Sequence, residues 1–248
     1  MKPVMHLLML LLLISYSLSA CKKDTNPPPT SAAGYVTGKI TDAAGHPLQG
    51  VKVTIEHTIW QDSYVFATTD NNGNYKVAIP AEPAGDWTAK AQITKSAYGQ
   101  EYTFDLAPGN TDAFDRNSAV VRNFTWKLSG ERPEAGTYYG AHVDLYQFGT
   151  DVPMEDVKLV FTPLENTLID GSPAATIERK VEDVAGTYIA KDIPMGKYTV
   201  KAVVPAKTLL LDNRHDDHDA PAVEQNLVFG KYGYLGDTEY NAEFWLSE

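Results

Sequence analysis

Apolar and polar residues alternate along most of this chain with the period of two that is typical of half-buried β-strands. In residues 51–55 the valines and the isoleucine would face one side of a strand, and the lysine and threonine between them the other. The same alternation occurs in residues 87–93 and 198–204. Ala43-Ala44-Gly45 and Asn71-Asn72-Gly73 predict tight hairpin turns, because glycine and asparagine tolerate positive φ. The pattern predicts an all-β protein.

Four blocks of sequence occur twice in the same order. They are residues 47–55, 70–75, 79–91 and 123–128 in the first copy and 153–161, 183–188, 193–202 and 241–246 in the second. Repeated units of many short strands are typical of antiparallel β-sandwiches, and two copies are too few for a solenoid. We predict two tandem sandwich domains, residues 34–128 and 138–248. The proline- and glycine-containing residues 129–137 would link them.

The first 20 residues form a different kind of segment. Lys2, the apolar run 7–14 and the small residues before Cys21 describe a secretory signal peptide at residues 1–20. The run is shorter than the roughly 20 apolar residues of a transmembrane helix. Small residues followed directly by Cys21, the only cysteine, resemble the lipobox of bacterial lipoproteins. This resemblance implies that Cys21 carries two or three acyl chains, such as palmitate, and attaches the protein to a membrane. The alternative is an ordinary secretory leader.

Residues 21–33 are polar and contain three consecutive prolines, Pro27–Pro29. Proline-rich segments favour extended conformations of about 3.1 Å per residue, so this flexible linker would lift the first domain off the bilayer. Lysines and an acid after the cysteine partly resemble the surface-export signals of Bacteroidetes lipoproteins. We therefore expect a lipid-anchored protein of the outer membrane, and leave open whether it faces the cell surface or the periplasm.

The first predicted domain resembles a known family. The motif runs through residues 38–53 and continues at Thr69-Asp70-Asn71-Asn72-Gly73-Asn74-Tyr75. Together these residues resemble the carboxypeptidase regulatory-like domain, which implies a transthyretin-like, or more broadly immunoglobulin-like, sandwich. The second copy lacks the opening glycine–aspartate pattern and would be a divergent relative. In that family the motif residues build turns and core, so the resemblance implies a fold and no catalytic residue.

Charge and missing motifs exclude several function classes. The net charge is −11, and basic residues are not clustered, whereas nucleic-acid binding needs Lys and Arg to neutralise phosphates. We therefore predict no nucleic-acid partner. The sequence has no Gly-x-Ser-x-Gly elbow, phosphate-binding loop or His-Glu-x-x-His pair. We predict no cofactor and no enzymatic activity.

Aromatic residues are the first candidates for ligand binding. Trp60 and Trp245 are out of phase with the apolar positions around them, and residues 229–236 form a glycine-rich segment with two tyrosines. Exposed aromatic rings can stack on sugars or anchor a protein interface. The alternative is that they cover the domain junction or one end of a sandwich. The candidate ligand-binding residues are Trp60, Tyr64, Tyr232, Tyr234 and Trp245.

A second candidate site is the histidine- and aspartate-rich stretch 213–219. Imidazoles and carboxylates close together can share a Zn²⁺ or similar ion, and the candidate ligands are His215, Asp217, His218 and Asp219. A solvated acidic loop is the alternative. Residues 70–74 resemble the start of a calcium loop but lack the later glutamate, so we predict a hairpin turn there.

These observations favour a lipid-anchored cell-envelope protein with a non-catalytic binding or scaffolding role. Its partner would be a polysaccharide or an envelope protein, and an accessory role in polysaccharide capture is one form of this binding role. One alternative is an adhesion or pilus-type structural subunit. The other is a metal-dependent enzyme centred on His215 and His218.

Overall fold

A computed structural model of the chain describes residues 29–205, 207–215, 220–232 and 239–248. The predicted signal peptide and Cys21 lie outside these residues. Within the described residues, the regular structure is β-strand apart from one 3₁₀ turn at Met154–Asp156. The all-β prediction is confirmed.

The first sandwich consists of two sheets. In chain order its strands are β1 (Tyr35–Asp42), β2 (Lys52–His57), β3 (Tyr64–Thr68), β4 (Asn74–Ala78), β5 (Asp86–Ala97), β6 (Gln100–Asp105), β7 (Ala107–Pro108), β8 (Phe114–Asp115), β9 (Val120–Val121) and β10 (Phe124–Trp126). One sheet has the order β4-β1-β10-β7, with β9 paired to β1. The other has the order β3-β2-β5-β6, with β8 paired to β5.

A small hairpin precedes the second sandwich, and it consists of β11 (Glu131–Arg132) and β12 (Thr137–Tyr138). The remaining strands are β13 (Ala141–Gln147), β14 (Lys158–Pro163), β15 (Ile177–Lys180), β16 (Glu182–Val184), β17 (Thr187–Ile193), β18 (Lys197–Val204), β19 (Lys207–Thr208), β20 (Leu210–Asn213), β21 (Gln225–Val228) and β22 (Asn241–Ser247). Their sheets have the orders β16-β17-β13-β22-β20 and β15-β14-β18-β19, with β21 paired to β18.

The two sandwiches share a strand order. The succession β4-β1-β10 in the first corresponds to β17-β13-β22 in the second, and β3-β2-β5 corresponds to β15-β14-β18. In each sandwich the opening and closing strands are parallel neighbours, β1 with β10 and β13 with β22. Most other pairs are antiparallel. A shared order of this kind is what a tandem duplication predicts.

The cores contain the residues that the alternation placed there. Val51, Val53 and Ile55 are fully buried, as are the large rings of Trp87 and Trp126. Burial of a large apolar side chain stabilises the fold by about 1.5–3 kcal/mol. The alternation therefore identifies the inward face of the central strands correctly.

The two predicted hairpin turns have different outcomes. Residues 42–46 close a local hairpin, in which Thr41 forms an antiparallel bridge with Pro47. Residues 70–74 also form a turn, but they join β3 and β4, which belong to different sheets. The hairpin predicted there is wrong, because turn residues determine the local reversal and not the partner of the following strand.

The Asp70 carboxylate stabilises this second turn. Its Oδ1 atom accepts the backbone N–H groups of Asn72 at 2.9 Å and Asn74 at 2.8 Å. Gly73 adopts φ +74° there, which an L side chain rarely adopts. The calcium-like motif thus forms an Asx turn.

The two sandwiches pack against each other along β6. Tyr102, which is fully buried, and Gln100 both donate hydrogen bonds to the carbonyl oxygen of Phe229, at 3.1 and 2.8 Å. The Tyr240 hydroxyl accepts the N–H of Thr103 at 2.6 Å and donates to its carbonyl at 3.2 Å. The Tyr240 ring packs on those of Tyr102 and Phe104, with centroids 5.1 and 5.6 Å away. We call this contact the junction.

Polar contacts extend the junction into the linker. Arg132 pairs with Asp105 of the first sandwich at 2.9 Å, and the Gly130 N–H donates to Asp192 of the second at 2.8 Å. The buried apolar residues of both sandwiches belong to one continuous cluster. The junction therefore holds the two sandwiches as one packed body.

Candidate functional site

The outward face of one sheet of the second sandwich carries a row of aromatic side chains. Val143 and Leu145 of β13 face the core, and so do Phe244 and Leu246 of β22. Strict alternation turns Tyr146 and Trp245 to the solvent side. Because β13 and β22 pair in parallel, these two residues are direct register partners. The sheet therefore places the two rings side by side.

Arg214 and Phe148 complete this group. The Arg214 guanidinium lies 4.8 Å from the ring centre of Tyr146 and 5.0 Å from that of Trp245. It also donates a hydrogen bond to Glu243 at 3.0 Å. Phe148 stacks on Trp245 at 5.4 Å, with 25° between the ring planes. We call Tyr146, Phe148, Arg214 and Trp245 the aromatic patch.

The patch is open to solvent. Phe148 is 63% exposed and Trp245 is 37% exposed. Burial, together with the carboxylates of Glu243 and Asp144, raises the pKa of the Tyr146 phenol, although Arg214 opposes this shift. Tyr146 therefore stays neutral at physiological pH and can donate a hydrogen bond.

The patch lies at the end of the sandwich away from the junction. Tyr240, whose ring belongs to the junction, directly precedes β22, and Trp245 lies five residues further along the chain. At roughly 3.3 Å per residue this separation is about 16 Å. Beyond β13, the Phe148 N–H donates to the Leu246 carbonyl at 2.8 Å, which ties the loop end to the sheet.

Two of the predicted site residues continue this row. The imidazole of His215 stacks on Tyr232 with ring centres 3.6 Å apart and nearly parallel planes. Its Nε2 atom lies 3.5 Å from the Glu243 carboxylate, which Arg214 also contacts. Glu243 thus connects the Tyr232–His215 stack to the aromatic patch.

The described residues show no metal centre. No group of three or more His, Cys, Asp or Glu side chains among them is arranged to hold an ion. His215 is engaged with Tyr232 and Glu243. Asp217, His218 and Asp219 lie outside the described residues, as does Tyr234. The metal site therefore stays a prediction.

The other predicted aromatics lie elsewhere. Trp60 and Tyr64 are exposed but belong to the first sandwich, where Tyr64 stacks on Phe66 at 6.1 Å. Tyr232 and Trp245 belong to the second sandwich. The four candidate aromatics that the structure describes therefore do not converge on one site.

Sequence reasoning missed Tyr146, Phe148 and Arg214. A signal existed for Tyr146, because it shares the outward phase of His142 on β13. Nothing local indicated that it would lie beside Trp245, since their pairing joins strands almost 100 residues apart. No local signal existed for Arg214 either, because its guanidinium packs on the rings of both Tyr146 and Trp245.

A polar cluster occupies the same face nearer the junction. Asp144 is buried and accepts a hydrogen bond from the Asn241 amide at 3.1 Å. The two ring nitrogens of His142 lie 3.5 Å from Asp144 and 3.5 Å from Glu239. The hydrogen bond from the Asn241 side-chain amide and the nearby His142 imidazole compensate the cost of burying the Asp144 carboxylate. This cluster therefore stabilises the sheet.

Comparison with known proteins gives one match among curated sequences. No family model matches the chain. It is 25% identical over 176 residues to the inverse autotransporter adhesin YeeJ of Escherichia coli strain K12. The alignment covers 71% of this chain and 7% of the adhesin, so the chain spans a small fraction of that relative.

Solved structures show more distant likenesses. The minor pilin GBS52 of Streptococcus agalactiae is 14% identical with a TM-score of 0.28, covering 87% of this chain and 97% of the pilin. The Bacillus anthracis TIE protein is 19% identical with a TM-score of 0.27, covering 69% of this chain and 28% of that protein. A leucine-rich repeat protein of Bacteroides thetaiotaomicron is 14% identical with a TM-score of 0.28, covering 87% and 26%.

Within the described ranges, none of the chain forms a helix of the length and apolar character needed to cross a bilayer.

Proposed function

We propose that this protein is a non-catalytic cell-surface protein of the adhesion type, which contacts its partner through the aromatic patch. The observation that carries the proposal is the patch itself, in which tyrosine, tryptophan, phenylalanine and arginine adjoin on an exposed sheet face. Tyrosine, tryptophan and arginine are the residues most enriched at binding hot spots. The sequence similarity to an adhesin supports the same class of function.

The geometry of the patch suits binding because its side chains are held before a partner arrives. Arg214 is fixed by Glu243 and by two ring faces, and Trp245 is fixed between Arg214 and Phe148. Ordering a flexible side chain on binding costs about 0.5–1.5 kcal/mol. Preorganisation avoids much of this cost for Arg214 and Trp245.

The junction favours display of the aromatic patch at a distance from the membrane. It packs the two sandwiches into one body, and the patch lies at the end of the second sandwich away from it. The first sandwich then serves as a spacer. With Cys21 lipidated, as the lipobox resemblance implies, the patch would be presented away from an outer membrane.

Polysaccharide capture is a second candidate, and the Phe148 ring favours it. One face of this ring stacks on Trp245, and the side chain remains 63% exposed. Exposed aromatic faces of this kind can stack on sugar rings. A polysaccharide would then be the molecule to which the cell adheres.

The test is adherence of cells that carry the gene. A deletion strain is complemented with the wild type, with Phe148→Ala/Trp245→Ala, or with Phe66→Ala. Phe66 is a matched control, because it is 57% exposed but lies on the first sandwich. Surface amounts are equalised with an antibody.

Adherence to mucin-, collagen- and polysaccharide-coated wells is then compared. We expect the double variant to lose at least tenfold in adherent cells, and the Phe66→Ala strain to match the wild type. Equal adherence of the double variant and the wild type would contradict the proposal.

A further inference from the structure

The loop that joins β2 to β3 exposes two large apolar side chains at its tip. Ile59 is 77% exposed, more than any other large apolar residue in the described part of the chain, and Trp60 is 59% exposed. We call residues 58–63 the tip loop. Apolar surface left in contact with water contributes nothing to the stability of the fold. Two adjacent large apolar side chains at an exposed tip therefore indicate a contact with another surface.

The tip loop is held in this conformation by the protein. His57 is buried, and its Nδ1 atom accepts the N–H groups of Ile59 at 3.1 Å and Trp60 at 3.2 Å. Its Nε2 atom is then the protonated one and donates to the Ala84 carbonyl at 3.3 Å. The Thr58 N–H and hydroxyl both donate to the carbonyl of Asp86. These hydrogen bonds fix the backbone of the tip loop in the conformation that exposes Ile59 and Trp60.

The chain enters the first sandwich at the same end as the tip loop. The Gly34 N–H, just before β1, donates to the Arg116 carbonyl at 2.8 Å. Asp115, next to Arg116, is the strand register partner of Asp86. The backbone carbonyl of Asp86 in turn accepts a hydrogen bond from the Thr58 hydroxyl. β5 runs from Asp86 to Ala97 and leads to the β6 hairpin at the junction. At roughly 3.3 Å per residue this places the tip loop about 35 Å from that end.

We propose that Ile59 and Trp60 insert into the headgroup layer of the membrane to which Cys21 is attached; this rests on the lipid anchor of the proposed function. The Ser31 hydroxyl already donates to the Val120 carbonyl at 3.0 Å, so only residues 21–30 would separate the anchor from the sandwich. At about 3.1 Å per residue this tether would span roughly 31 Å, which keeps the tip loop within reach of the bilayer. Tryptophan favours the membrane–water interface, where its ring is apolar and its N–H remains solvated. A second contact beside the tether would fix the orientation of the body.

The charges at this end specify the kind of lipid surface. Asp62 lies on the tip loop, Asp86 and Asp115 lie beside it, and Arg116 follows Asp115 in the chain. Burial of the two apolar side chains at the tip therefore drives the contact, and repulsion between these carboxylates and anionic headgroups opposes it. Zwitterionic lipid is the preferred surface, and salt should strengthen binding to anionic lipid by screening the repulsion.

The experiment uses the mature chain, residues 21–248, coupled through its single thiol to a maleimide lipid in phosphatidylcholine vesicles. Brominated lipids quench tryptophan fluorescence on contact. Trp87 and Trp126 are buried, so Trp60 and Trp245 are the exposed tryptophans among the described residues. Trp60→Phe removes the proposed probe, and Trp245→Phe is the matched control on the second sandwich.

We expect quenching of the wild type and of Trp245→Phe, and at least a fivefold smaller quench in Trp60→Phe. Adding 30% phosphatidylglycerol should weaken the quench, and 0.5 M NaCl should restore it. Equal quenching with and without Trp60 would overturn the proposal. So would concentration-dependent dimerisation that Trp60→Phe abolishes, since the tip would then contact a second copy. Because the lipid is attached chemically and the patch variants are tested separately, failure here leaves the adhesion proposal intact.

Discussion

Removal of the Tyr240 hydroxyl tests how strongly the two sandwiches are coupled. β6 is the edge of its sheet, so the outward N–H and C=O groups of Thr103 rely on the Tyr240 hydroxyl. In Tyr240→Phe both bonds are lost while the ring stays against Tyr102 and Phe104. A net loss of about 0.5–1.5 kcal/mol per bond gives about 1–3 kcal/mol for the substitution. In a chain of this size each kcal/mol lowers Tm by about 2–4 °C, so we expect a decrease of about 2–12 °C.

The stability of each variant is measured in two assays, unfolding in urea and thermal unfolding by calorimetry. Wild-type unfolding should give one transition, reported equally by signals from either sandwich, because the cores are continuous across the junction. Tyr240→Ala also removes the ring and should split the transition in two. Leu164→Ala, which removes an exposed side chain, is the control. A Tyr240→Ala variant that unfolds in one transition at the wild-type midpoint would refute the coupling.

Two further predictions concern stability. Burial raises the pKa of Tyr102 to about 12, so the neutral phenol stabilises the folded chain fully below pH 10 and progressively less as the pH rises to 12. The decrease in urea midpoint between pH 9 and pH 12 should therefore be smaller in Tyr102→Phe, and an unchanged decrease would count against this role. In Gly38→Ala the new methyl would collide with the Arg122 carbonyl and the Tyr75 ring, so we expect a loss of about 2–3 kcal/mol. Gly109→Ala, whose methyl meets only the Asn123 carbonyl at 3.3 Å, should lose clearly less in the same urea assay, and equal losses would disprove the steric reasoning.

Local sequence patterns were sufficient to predict much of the fold. Alternation assigned the buried faces of residues 51–55 and the exposure of Trp245, because a strand turns successive side chains to opposite faces. The repeated blocks anticipated two sandwiches of equal strand order. These features depend on neighbours in sequence, or on similarity between the two copies.

Features that depend on long-range pairing could not be predicted. The parallel pairing of β13 with β22 places Tyr146 beside Trp245, and no local signal sets that register. The junction joins Thr103 to Tyr240 across 137 residues. The exposure of Trp60 was expected from its phase, but its support by the buried His57 was not. In each case tertiary packing decides which side chains meet.

The most direct test of the central claim is adhesion by the isolated chain. Residues 21–248 are coupled to beads through Cys21, and bead retention under flow is measured on mucin, collagen and polysaccharide surfaces. We predict retention on at least one surface well above blank beads, at least tenfold lower for Phe148→Ala/Trp245→Ala and unchanged for Phe66→Ala. Retention equal to that of blank beads on every surface, or unaffected by loss of the aromatic patch, would contradict the account.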